Sequence, residues 1–61
     1  MTETEKQKMA KEIFDVMVRI GYMRDDARGP GKHHVFMSIH DALSHLAEAE
    51  RHLALVSTKP A

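Results

Sequence analysis

The chain has 61 residues, which is one domain at most, and a core of that size is marginal without disulfides, a metal or oligomerisation. It contains no cysteine, which excludes disulfides and thiolate metal sites and leaves self-association as the simplest support. Nine basic residues balance nine acidic ones, so no net charge drives nonspecific binding to nucleic acid or to an anionic membrane. No apolar run approaches the ~18 residues of a membrane span. The charged N-terminus lacks a signal-peptide core. The expectation is a cytoplasmic protein without membrane contact.

Residues 1–8, MTETEKQK, are polar, with acidic residues before basic ones. Thr2 and Glu5 have the spacing of a capping box, and Glu3 and Glu5 suit the positive end of a helix dipole. Met9, Ile13, Val16 and Ile20 then recur at intervals of four, three and four, with Ala10 and Met17 beside them. This predicts an amphipathic helix over about residues 3–20, ~27 Å long. Phe14 and Val18 lie one turn apart and off that seam, flanked by Lys11 and Asp15.

Gly21 allows two readings. It ends or kinks the helix, with Tyr22 folding back on the last turn, or the helix continues because Met23 and Ala27 extend the heptad. An interior glycine costs about 1 kcal/mol against alanine. Asp25 and Asp26 would also sit at the negative end of the dipole. An end or a kink is therefore preferred, with a loop over residues 21–34. The stretch RGPGKHH, residues 28–34, is the clearest break, because Pro30 between two glycines is incompatible with a helix interior.

The second helix is predicted over about residues 35–56. Ser38 and Asp41 read as its capping box; Val35, Phe36 and Met37 either staple its start or belong to an earlier start. Ile39, Ala42, Leu46, Ala49, Leu53 and Val56 form a heptad seam, widened by Leu43, Ala47 and Ala54. The small Ala42 and Ala49 leave room for knobs from a partner helix. Residues 57–61, STKPA, are a polar tail expected to fray.

Two helices of matched length with facing stripes make an all-α, antiparallel αα-hairpin. Each helix of a lone hairpin keeps an apolar flank in water, so pairing into a homodimeric four-helix bundle is expected. Its predicted dimer core is Met9, Ile13, Val16, Ile20, Ile39, Ala42, Leu46, Ala49 and Leu53. His45 and His52 lie two turns apart with Glu48 between them, but this is not the Glu-x-x-His spacing of di-iron bundles. They read as solvated surface residues, as do His33 and His34, and neither metal nor cofactor is expected. No nucleophile elbow or glycine-rich phosphate cradle is present, which points away from an enzyme. The partner-binding candidates are Phe14 and Val18 on the first helix, and a cluster of Tyr22, Met23, Phe36 and Met37 near the loop. The alternative for Phe14 and Val18 is burial in a wide dimer core. Phe14 is the favoured anchor.

Two resemblances bear on function. In size, expected dimeric form and alternation of large and small core layers, the chain resembles the Rop family of plasmid RNA-binding hairpins. Met1, Thr2, Glu5, Lys6 and Phe14 coincide when aligned from the first residue. That family binds paired RNA loops through lysines, amides and a phenylalanine on its first helices. Here Phe14 is kept, whereas the rest of that face holds Glu3, Ala10, Val18 and Asp25. Losing the lysines removes phosphate contacts. The second helix, DALSHLAEAERHLAL, is similar to that of small phage-encoded quorum-sensing anti-activators, and KEIFDVMVRIG is similar to their first helix. Asp41, Ala42, Leu43, Leu46 and Ala49 carry the likeness, while RGPGKHH departs from it. This resemblance implies a compact helical dimer that binds and silences a host transcriptional regulator. The leading expectation is a small, non-enzymatic regulator that binds another protein. The alternatives are a Rop-like RNA-binding hairpin and a purely structural assembly subunit.

Overall fold

The computed structural model describes residues 1–59, which form two helices packed against each other, α1 over Glu3–Asp26 and α2 over His33–Ala54. The all-α hairpin expected from the sequence is what the chain adopts. Its Cα atoms fill a slab of 51 × 15 × 9 Å, a single layer of two helices side by side.

The start of α1 is the capping box read from the sequence. The Glu5 amide donates to Thr2 Oγ1 at 3.2 Å, and the Thr2 amide donates to Glu5 Oε1 at 3.3 Å. The far end differs from expectation. The helix runs through Gly21 without a break and ends at Asp26, not near residue 20. The extra turns continue the row that faces α2, ending in Ala27, which is only 7% exposed. The penalty of Asp25 at the helix C-terminus is offset by two guanidiniums. Arg28 Nε lies 3.5 Å and Arg24 Nε 3.9 Å from Asp25 Oδ1.

The connection is therefore shorter than the expected residues 21–34. Gly29 and Gly31 take positive φ, 145° and 79°, on either side of Pro30, and the Lys32 amide donates to the Gly29 carbonyl at 3.3 Å. Helix α2 starts at His33, five residues before Ser38. The expected cap is thus an interior residue, and the actual N-cap, Lys32, makes no side-chain capping bond. Starting early brings Phe36 into the row that meets α1. The Phe36 amide closes the first turn on the Lys32 carbonyl at 2.9 Å.

The open end of the hairpin is clamped. Lys6 Nζ donates to the carbonyls of Ala54 and Val56 at 3.2 and 3.1 Å, placing a cation at the negative end of α2. Thr58 Oγ1 donates to Glu3 Oε2 at 2.8 Å, and the Lys59 amide donates to the Met1 carbonyl at 3.0 Å. The tail expected to fray over residues 57–61 is thus tied down at Thr58 and Lys59. Pro60 and Ala61 lie outside the described residues.

The facing rows are Lys6, Ala10, Ile13, Met17, Ile20, Arg24 and Ala27 on α1, and Phe36, Ile39, Leu43, Leu46, Glu50 and Leu53 on α2. Both rows alternate spacings of three and four. Among the described residues only Ala27 and Leu53 are buried, and the others are half-covered. Of the expected core, Ile13, Ile20, Ile39, Leu46 and Leu53 lie in these rows. Met9, Val16 and Ala49 sit on a flank and are exposed in the single chain, with Ala42 half-covered beside them.

Two glycine substitutions separate the helix from the turn. A Cβ at Gly21 meets nothing within 4 Å, so Gly21→Ala is expected to stabilise by about 1 kcal/mol and raise Tm by about 4–8 °C. Gly31→Ala forces a left-handed alanine and is expected to destabilise by about 1 kcal/mol or more. Thermal melts followed by circular dichroism check both, and a lower Tm for Gly21→Ala would mean that α1 does not pass straight through residue 21.

Candidate functional site

A layer one helix thick has two broad faces, and the heptad positions beside the facing rows determine each. On one face α1 places Met9, Val16 and Met23 at seven-residue intervals, and α2 places Val35, Ala42 and Ala49 likewise. These are neighbours across the groove: Met23, Val35 and Ile39, with Asp26, Ala27 and Lys32, line one shallow hollow of about 390 Å³. No charged residue falls within the two stripes of this face.

The other face is mixed. It carries Gln7, Phe14, Gly21 and Arg28 from α1 and the loop, against His33, His40, Ala47 and Ala54 from α2. Ala27, Arg28, Gly29, His33 and Phe36 line a second hollow of about 230 Å³ at its loop end. Here the Arg28 guanidinium sits 5.2 Å above the Phe36 ring centre, and the His40 imidazole lies nearly parallel to that ring, 8° apart, at 6.4 Å. His33 and His34 meet edge to face at 5.8 Å. Arg24 Nε is buried without a hydrogen-bond partner, its side chain lying along the seam towards the Asp25 carboxylate.

The predicted partner-binding residues do not share one place. Phe14, 58% exposed, lies on the mixed face, and Val18 and Tyr22 lie outside it on the free edge of α1. The expected loop-end cluster of Tyr22, Met23, Phe36 and Met37 does not form. Met23 lines the hollow of the apolar face and Phe36 that of the mixed face, while Tyr22 and Met37 point outward from their helices. The continuation of α1 through Gly21 fixes this separation, because a helix holds Tyr22 and Met23 about 100° apart. His45 Nδ1 lies 3.9 Å from Glu48 Oε2 on the exposed side of α2. Among the described residues no three histidine, aspartate or glutamate side chains converge as metal ligands would.

The Arg28–Phe36–His40 stack was not singled out from the sequence. Its only signal there is that Phe36 and His40 are four apart on a helix that starts before Ser38. Comparison with known protein families, curated proteins and solved structures finds no significant match. Function is therefore read from the chain's own surfaces.

The stack generates a stability prediction. Phe36→Leu keeps most of the apolar contact but loses the ring, and is expected to cost about 1 kcal/mol. Phe36→Ala is expected to cost about 2–3 kcal/mol, less than a fully buried phenylalanine because the ring is half-covered. Urea titrations measure both, and a leucine variant as stable as the parent would show that stacking adds nothing.

Proposed function

We propose that this protein is a non-catalytic helical association module, working as a homodimer, that binds another protein and modulates it. The observation behind this reading is the amount of large apolar side chain on the outside. Eleven large hydrophobic residues are exposed, against two buried apolar residues among those described. So much exposed apolar side chain on so small a chain, part of it gathered in the Met9–Val16–Met23 and Val35–Ala42–Ala49 stripes, is characteristic of an interaction surface. Phe14, 58% exposed on the mixed face and free of the apolar stripe, is the best-placed anchor for a partner. The likeness of Asp41, Ala42, Leu43, Leu46 and Ala49 to small anti-activators favours inhibition of a transcriptional regulator as the form this binding takes. The Rop-like alternative is disfavoured by Glu3 and Asp25 at positions where RNA phosphate contact needs cations.

The test is affinity capture from lysate, with and without ribonuclease treatment, using the parent and Phe14→Ala after both are shown to share helix content and mass in solution. A protein retained by the parent and bound about 30-fold more weakly by the variant is expected. Capture that disappears on ribonuclease treatment would turn the assignment to RNA. A variant that loses its helical signal would place Phe14 in the core.

A further inference from the structure

We infer that the second copy of this chain docks on the face formed by Met9, Val16 and Met23 of α1 and Val35, Ala42 and Ala49 of α2. The inference rests on the reading of the chain as a self-associating module and adds where the second copy sits.

Surface area gives the first argument. The hairpin exposes 4848 Å², whereas a compact 6.9 kDa protein exposes about 4,000 Å². The excess, roughly 850 Å², is close to the ~800 Å² per partner that a stable interface covers. A single layer 9 Å thick also lacks the second layer that a folded domain packs against.

Charge chooses the face. The Met9–Val16–Met23 and Val35–Ala42–Ala49 stripes are uncharged, the half-covered Ile13, Ile20, Ile39 and Leu46 lie between them, and charges stand at the two ends, Asp26 and Lys32 beside Met23 and Glu5, Lys8 and Glu12 around Met9. The opposite face carries Arg28, His33 and His40 in its stripes, with the Arg28 guanidinium and the His40 imidazole stacked on Phe36. Covering that face with a dry layer would strip water from those groups.

Shape and net charge choose the occupant. The apolar face presents the exposed Met9, Val16 and Met23 on α1 and Val35 on α2, with the small Ala42 and Ala49 on α2. It therefore holds both knobs and holes, the self-complementarity that a two-fold interface requires. The chain has equal numbers of acidic and basic residues, so two copies carry no net repulsion. Docking on this face leaves Phe14 outside the interface.

The chain has no cysteine, so single-cysteine variants are clean probes. Ala49→Cys reports the proposed face and Ala47→Cys the opposite one. The alkylation rate of Ala49→Cys is expected to fall about fivefold once protein concentration reaches about ten times the dimer Kd, and that of Ala47→Cys to stay constant. Sedimentation equilibrium supplies the Kd. In the same assay Ala49→Glu is expected to raise the dimer Kd at least about a hundredfold, whereas Ala47→Glu leaves it within a few-fold. Protection of Ala47→Cys instead, protection of both, or a chain that stays monomeric with both rates flat would overturn the inference. A monomer that still captures a protein through Phe14 would sink this proposal and leave partner binding standing. A protected dimer that captures nothing would do the reverse.

Discussion

Two helices lying side by side have no interior. Each side chain of the facing rows has the other helix on one side and solvent above or below. That geometry accounts for there being only two buried residues, Ala27 and Leu53, among those described. It also dictates where polar residues are tolerated. Lys6, Arg24 and Glu50 are tolerated at half-covered facing positions because a long side chain can lay its apolar stem along the groove. Lys6 uses this freedom to reach the last carbonyls of α2.

The same geometry decides how much was legible in the sequence. The helix count, the antiparallel hairpin, the Thr2–Glu5 cap and the break at Gly29–Pro30–Gly31 are local signals, and local chemistry enforces them. The facing rows are harder. Met9, Ile13, Val16 and Ile20 form as good an apolar heptad as the true row through Ala10, Ile13, Met17 and Ile20, and the true row also contains two charged residues, Lys6 and Arg24. A pattern read by hydrophobicity therefore chose the stripe shared between the seam and the outer face. The structure splits it, with the isoleucines facing α2 and Met9 and Val16 turned out.

Gly21 and Ser38 misled for a common reason. Each is a local stop or start signal worth about 1 kcal/mol. Continuing the helix past Gly21 covers Ala27, and beginning α2 at His33 brings in Phe36, with Arg28 closing over its ring. Tertiary contact outweighs the local preference at both positions. The partner-surface residues were individually visible as exposed apolar side chains. Their distribution over opposite faces depended on the phase of α1 beyond Gly21, which no local motif records.

The clamp at the open end has a consequence for the order in which the hairpin assembles. Contacts beside the Gly29–Gly31 turn close short loops, whereas Lys6 to Ala54 and Glu3 to Thr58 join residues 48 and 55 apart in the chain. Loop-closure entropy makes the distant contacts harder to nucleate by about 1.5 kcal/mol. Zipping from the turn outward is the expected order, with the Met1–Lys59 and Glu3–Thr58 bonds expected to form last and open first. On that order the turn is the nucleus of folding and the clamp its latch.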